Sequence, residues 1–239
     1  MLTEAVAQSD VGTIPETIRV GDAWLATWPD SQQMRVLGDS RIVITRFADF
    51  DDYHGPLLAA AMAGLDDPRF RDADSAVSPW ACGRKVRNLA QWNAPAAALV
   101  HARAIAFAHR VTGRGPVYAA DTWASVYHEG DYCMPHSHVY SDVSLVYMLD
   151  AGDSDPRDPA SGRLTFLDPR IDWCCPHEPG RATRPLIPDL APGSMVAFVS
   201  ECLHSVNPYR GRRPRVTLSW NMTKARLSGP TRIDLAALT

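Results

Sequence analysis

After Pro116 the chain breaks into short apolar segments, VYAADTWASVYHE, DVSLVYML, GRLTFLD, GSMVAFVS and RVTLSWNMT, separated by turn residues. Segments this short and regular, rich in β-branched and aromatic residues, read as strands of an antiparallel sandwich or jelly roll. Alternate residues of a strand share a face, so a loop between two such strands can hold a His-x-His pair facing one cavity. That pattern places the polar stretch YHEGDYCMPHSHVYSD, residues 127–142, at the mouth of a sheet.

The first half reads as mixed structure. TIRVGDAWLATW and MRVLGDSRIVITRF predict two or three strands, the second run broken by a turn at Gly38, Asp39 and Ser40. The spacing predicts a helix over 93–110, with Asn93 as cap, Pro95 in the first turn, apolar residues at 100, 104, 107 and 111, and Gly113 as the stop. A shorter helix is expected from Leu57 to Ala63 with Gly64 as its stop, and DDPRFRDADSAVSPWACGRK beyond it reads as an irregular polar connection. The expected class is therefore mainly β with flanking helices (α+β). Residues 1–115 would pack strands and helices on a core at 116–225, with 226–239 as a tail, all in one compact domain. A chain of this length buries about 70% of its unfolded surface without a disulfide or metal staple.

The charge balance of 24 basic against 27 acidic residues argues against nucleic acid or a membrane surface as partner. Five cysteines, with Cys174 and Cys175 adjacent, fit a secreted disulfide framework poorly and point to a reducing, cytoplasmic setting. A zinc site at Cys174, Cys175 and His177 is disfavoured because no second Cys pair has the spacing. The N-terminus lacks a signal-peptide pattern, and no run approaches the roughly 20 apolar residues of a membrane span.

His136 and His138 lie between two predicted strands, and His204 ends the segment GSMVAFVSECLH. Two near ligands and one distant ligand suit a facial metal site with open positions, the arrangement of non-haem iron oxygenases; ordinary polar loop histidines are the alternative. Arg215, with Thr217 two residues on, could present a guanidinium fork and a hydroxyl to one carboxylate from one strand face, so that a 2-oxo acid would bridge metal and arginine. Arg210, Arg212 and Arg213 read as a solvated basic run, and His54, His101 and His109 as surface residues.

With these residues in view, the segment from about 117 to 223 resembles the 2-oxoglutarate/Fe(II)-dependent oxygenases, whose core is a double-stranded β-helix, a cupin-like jelly roll. Tyr127, Gly130 and His136 look like the prolyl-hydroxylase-type approach to the first ligand, and "RVT" looks like the arginine-hydroxyl clamp. PHSH, DVSLVY, SGRLTFLDPR, PGSMVAF and LHSVNPYRGRRPRVTLSWN are similar to a bacterial and phage subfamily. The resemblance implies Fe(II), 2-oxoglutarate and O2, with His136, His138 and His204 on the metal and Arg215 and Thr217 on the co-substrate. Tyr127, Tyr132, Tyr147 and Asn221 are further implied co-substrate contacts, and Trp220 a candidate wall residue. The implied reaction is hydroxylation of a small-molecule, amino-acid-like or peptide-like substrate with release of succinate and CO2.

One departure stands out: His138 occupies the position where most of the family has aspartate. The face is then three-His, or it recruits Asp142; halogenation, which the family links to a small residue there, is disfavoured. Asp168 and Arg170 match the subfamily's loop leaving the sheet and receive no catalytic role. The long aperiodic stretch from Ile171 to Pro188 reads as a lid carrying Trp173 and His177. The first rival reading is a cupin-type metal enzyme without 2-oxoglutarate, with Asp142 as ligand and Arg215 incidental. The second is a non-catalytic binding domain. The N-terminal half would add a wall to the pocket and a surface for a homodimer.

Overall fold

The computed structural model describes residues 14–37, 42–72, 81–113, 117–138, 140–153, 157–167 and 185–224. The expected turn at Gly38, Asp39 and Ser40, the loop residues Asp168, Arg170, Trp173, Cys174, Cys175 and His177, and the tail at 226–239 lie outside them. Strands β1 (Thr17–Val20), β2 (Ala23–Ala26), β3 (Met34–Leu37) and β4 (Ile42–Arg46) precede helix α1 (Asp51–Gly64). Strands β5 (Arg71–Asp72) and β6 (Arg84–Arg87) precede α2 (Pro95–Thr112). The remainder is all strand: β7 (Val117–Tyr127), β8 (Cys133–His136), β9 (Val143–Asp150), β10 (Leu164–Phe166), β11 (Ser194–Val199), β12 (His204–Val206) and β13 (Arg215–Lys224).

β1 and β2 form a hairpin, and the other strands form two antiparallel sheets. The large sheet runs β3-β4-β11-β9-β13-β7-β6-β5, and the small one β10-β12-β8. Helices α1 and α2 cover the outer face of the large sheet, where Phe107, Leu57, Leu145, Leu218 and Trp220 share one buried cluster. A second cluster, including Phe166, Leu164, Phe198 and Met148, fills the space between the sheets. The molecule is thus layered as helix, large sheet, small sheet. Central strands β9 and β11 are buried on both faces, which is why SLVYML and SMVAFV read as continuous apolar runs rather than alternating ones.

The polar segment after α1 is not irregular throughout: Arg71–Asp72 and Arg84–Arg87 are strands that extend the large sheet beyond β7. Charged residues hide this strand from a hydrophobic pattern, because among Arg84, Lys85, Val86 and Arg87 only Val86 is buried in the core. The N-terminal half therefore lengthens the sheet on both sides, with β3 and β4 at one edge and β5 and β6 at the other. Helix α2 starts at Pro95 rather than at an Asn93 cap, because Asn93 sits at φ +52, outside the extended conformation a cap needs. Its end matches the expectation, with Gly113 at φ +59 donating its N–H to the His109 carbonyl. Helix α1 begins two turns earlier than the apolar pattern suggests and carries Pro56 on its exposed side.

His101 is not a surface residue. It packs behind the sheet and accepts a 3.1 Å hydrogen bond at Nδ1 from the indole N–H of Trp220, and burial pulls its pKa down to about 4. The fully buried Arg103 of α2 ties the layers together, donating to Asp49 at 2.7 and 2.9 Å and to the Ala26 carbonyl at 2.6 Å. Gly64 ends α1 for a packing reason: a Cβ there would stand 2.3 Å from Cγ1 of Val86, which is fully buried on β6. Gly64→Ala is expected to cost about 1–3 kcal/mol through this overlap. A thermal melt checks it; at roughly 2–4 °C per kcal/mol for a chain of this size, an unchanged Tm would contradict the tight helix–strand approach.

Candidate active site

His136 ends β8 and His204 begins β12, and the two residues are direct cross-strand partners in the small sheet. His204 does not end β11 as its sequence suggests; β11 stops at Val199, and a turn carries the chain into the other sheet. His138 follows β8 by two residues and is held by its backbone N–H on the Ser200 carbonyl at 2.8 Å. The three rings gather with centroids 4.3, 5.0 and 5.2 Å apart, and one nitrogen from each lies within 4.8 Å of the others, a group that can hold a metal ion.

The outer nitrogens show which inner ones are free to ligate. Nδ1 of His136 lies 2.8 Å from the Met134 carbonyl, and Nδ1 of His204 lies 2.8 Å from the Cys202 carbonyl. A carbonyl only accepts, so each Nδ1 carries the proton and each Nε2 keeps its lone pair for a metal. The side-chain amide of Asn221 lies 3.3 Å from Nδ1 of His138 and is itself linked to Ser144, which contacts Ser200. Ligation through Nε2 of His138 places the Asn221 oxygen against Nδ1–H, an amide orientation that Ser144 serves equally well, since its hydroxyl can donate or accept. Burial holds all three imidazoles below their ordinary pKa, His138 at about 4 and His204 at about 3, with mutual repulsion and Lys85 adding to the effect at His138. Neutral imidazole is the ligating form.

These histidines open onto a cavity of about 460 Å³ between the two sheets. Its floor is the inner face of the large sheet. Arg215, Thr217, Ser219 and Asn221 of β13 line it, beside Trp123, Ser125 and Tyr127 of β7. Arg215 is 3% exposed, and among the described residues its Nη1 and Nη2 are the buried side-chain atoms that meet no hydrogen-bond partner. The guanidinium stands 5.5 Å from the Tyr127 ring, and burial works against its charge. Gly162, at φ +62, packs on the arginine stem so closely that a Cβ would meet Cδ at 2.9 Å. A buried cation with unmade hydrogen bonds is costly, so this position is built for an anionic partner that completes the fork.

Residues 121–221 match a family described as "Putative 2OG-Fe(II) oxygenase". That segment, under half of the chain, is similar to a 2OG-Fe(II) oxygenase domain. Among curated proteins no sequence match is found. Solved structures share the fold: EctD from S. alaskensis with 2-oxoglutarate and 5-hydroxyectoine superposes with a TM-score of 0.58 at 19% identity, covering 82% of this chain and 77% of EctD. A Pseudomonas putida prolyl-4-hydroxylase gives 0.53 at 18%, covering 76% and 93%. The non-heme alpha ketoglutarate dependent epimerase SnoN from nogalamycin biosynthesis gives 0.58 at 15%, covering 77% and 78%. At these identities the likeness is one of fold, the double-stranded β-helix.

The fold brings His136, His138, His204, Arg215, Thr217, Tyr127 and Asn221 to one cavity. It does not bring Tyr147 there. Tyr147 is an odd-numbered residue of β9 facing the helices, where its hydroxyl donates to Tyr53 at 3.1 Å; the cavity takes Ser144 and Val146 instead. Tyr132 stands outside the lining and pairs through its backbone with Cys82. Trp220 turns its indole into the helical layer. Asp142 is exposed, outside the histidine group, and this removes the carboxylate that a cupin-type ligand set requires. Sequence reading missed Lys85, Arg87, Asp121 and Trp123 as lining residues. The alternation 121, 123, 125, 127 on β7 carried a signal for two of them, whereas β6 had no apolar pattern to announce it.

The metal-free protein should be acid-sensitive. His101, His138 and His204 have folded pKa values of about 4, 4 and 3 against an ordinary 6.5. The unfolded chain therefore binds protons that the folded one refuses, so stability is complete above about pH 6.5 and falls as pH drops towards 4. The expected loss between pH 7.5 and 5.5 is of the order of 1 kcal/mol per histidine. Thermal melts of metal-free protein across that range check it, and a pH-independent Tm would contradict the buried neutral state.

Proposed function

We propose that the protein is an Fe(II)- and 2-oxoglutarate-dependent oxygenase that hydroxylates a small organic substrate. The observation that carries this reading is the buried guanidinium of Arg215, with both Nη atoms lacking a partner, in the cavity onto which three neutral imidazoles converge. The donor set fits iron: imidazole suits Fe(II), and a three-ligand face leaves positions for a chelating 2-oxo acid and dioxygen.

His136, His138 and His204 would hold the metal, the first two from the β8 end and the third from β12. Arg215 would receive the distal carboxylate of 2-oxoglutarate as a bidentate fork, with the Thr217 hydroxyl on the same strand face and Tyr127 closing the pocket. Asn221 would orient the His138 ring. What bound Fe(II) supplies is activation of dioxygen coupled to decarboxylation of the co-substrate to succinate, ending in hydroxylation of a substrate C–H bond. The protein's part is to position the reactants and keep water from them. A cytoplasmic location and a substrate of amino-acid-like size accord with the composition and the cavity volume. No helix among the described residues is long and apolar enough to cross a membrane.

Anaerobic titration with Fe(II) and then 2-oxoglutarate tests the reading through the visible charge-transfer band of a chelated 2-oxo acid. Wild-type protein is expected to develop the band. Arg215→Ala should raise the Kd for 2-oxoglutarate at least 30-fold, as loss of a buried charge-paired fork costs about 2–5 kcal/mol. His138→Ala should abolish the band; its survival would move the second ligand elsewhere. Unchanged 2-oxoglutarate affinity in Arg215→Ala would overturn the clamp assignment.

A further inference from the structure

The three candidate ligands are held in two different ways. His136 and His204 belong to strands, and each ring is oriented by a main-chain carbonyl two residues before it, that of Met134 and that of Cys202. His138 belongs to no strand, and its Nδ1 faces the side-chain amide of Asn221 instead. Ser200, in the turn after β11, holds this histidine from two sides. The Ser200 carbonyl accepts the His138 backbone N–H at 2.8 Å. The Ser200 hydroxyl lies 2.9 Å from Oγ of Ser144, which lies 3.1 Å from the Asn221 amide, which lies 3.3 Å from Nδ1 of the same histidine. A closed circuit therefore runs from the backbone of His138 to its ring through three side chains.

Sheet register builds the circuit. Ser144 on β9 is the direct cross-strand partner of Asn221 on β13 and of Phe198 on β11, so it stands between the strand that carries the amide and the strand that leads into Ser200. The turn is pinned in addition by its main chain: the Ser200 N–H donates to the Asp142 carbonyl at 3.1 Å, and the Asp142 N–H donates to the Met222 carbonyl at 2.9 Å. Ser144 is 2% exposed and Ser200 is fully buried. A buried hydroxyl needs a partner, whereas alanine would fill either position without one. Among the described residues, the side chains of Ser144, Ser200 and Asn221 bond to one another, to the His138 ring and, at the outer end, to the Ser141 hydroxyl at 3.0 Å. The inner end of the chain is thus a candidate metal ligand.

Proton counting gives the chain a direction. Ligation through Nε2 leaves the His138 proton on Nδ1, which donates to the Asn221 oxygen, and the amide N–H then donates to Ser144. Each serine has one hydroxyl proton, so that of Ser144 goes to Ser200 and that of Ser200 goes to Ser141. With the amide turned over, its N–H would face Nδ1, the ring proton would sit on Nε2, and the ligating lone pair would be lost. We propose that Ser144 is a positioning residue for the third metal ligand: it accepts the Asn221 amide N–H when the Asn221 oxygen takes the His138 Nδ1 proton, and so stabilises the ring in its ligating form. This rests on the oxygenase reading, because it takes His138 as a ligand. A loop imidazole thereby receives from side chains the orientation that the two strand histidines receive from main-chain carbonyls.

The test uses the full chain with isotope-labelled histidine and two metals. Zn(II), which imidazole also suits and which is diamagnetic, lets ring nitrogen–proton correlations show which nitrogen carries the hydrogen. Fe(II) affinity is read anaerobically by competition with a chelating dye. With Zn(II) bound, all three histidines of wild type should carry the proton on Nδ1. Ser144→Ala should weaken Fe(II) binding at least about 5-fold, somewhat less than the roughly 10–100-fold of a residue that bonds a ligand directly. Asn221→Asp should bind Fe(II) no more weakly than wild type, because a carboxylate offers Nδ1–H only acceptors and has no N–H to satisfy. In that background the loss on Ser144→Ala should fall below about twofold, whereas a merely structural role for Ser144 predicts the same loss in both. A His138 proton on Nε2 in the Zn(II) form, a smaller loss in Ser144→Ala, loss of Fe(II) binding in Asn221→Asp, or equal losses in the two backgrounds overturns the proposal. Failure of wild type to bind Fe(II) overturns the oxygenase reading and this proposal together, whereas a normal charge-transfer band with Fe(II) affinity unaffected by Ser144→Ala overturns this proposal alone.

Discussion

Strand β13 is the constraint on which the site depends. Its two-residue period sends Arg215, Thr217, Ser219 and Asn221 into the cavity, while Val216, Leu218, Trp220 and Met222 enter the helical layer. A slip of one residue would bury the polar set under the helices and push the Trp220 side into the cavity, so the hydrophobic layer enforces the register of the polar one. Two long neighbours, β7 and β9, pair along nearly its whole length and make that slip costly. The position of the guanidinium is thus a by-product of core packing on the opposite face.

The histidine cluster depends on a different kind of geometry. His136 and His204 meet because the small sheet pairs β8 with β12 across a wide gap in sequence. Phe198, its ring centroid 4.7 Å from that of His204, backs the imidazole from the core side. The backbone carbonyls of Met134 and Cys202 orient the rings, so the metal-facing nitrogens are set by local chain path rather than by partner side chains. Such preorganisation costs buried polarity, and the depressed histidine pKa values are the measure of it.

Fold alone does not assign the chemistry. Structures sharing this β-helix include proteins named as a hydroxylase and as an epimerase, so the layers specify where metal and co-substrate can sit and leave the substrate wall to vary. In this chain one wall of the cavity comes from β6, a short charged strand beside the edge strand β5 and outside the matched segment 121–221.

The sequence by itself determined the strand-rich second half, helix α2 with its glycine stop, the near pair His136 and His138, and the Arg215–Thr217 pair, while His204 joins the histidines only through the pairing of β12 with β8. Each is written in local spacing: period-two alternation, a helical apolar stripe, or residues two apart on one strand. What only the tertiary structure decided is which side of a sheet a residue occupies when both sides are buried. Tyr147 and Val146 are adjacent and equally plausible by pattern, yet one faces the helices and the other the cavity. The same holds for His101, a half-buried helix residue whose ring meets the Trp220 indole more than a hundred positions away. Strand β6 and its Lys85 escaped because a four-residue strand with one buried apolar residue leaves no pattern, and its place comes from the neighbours it pairs with, which no local spacing records.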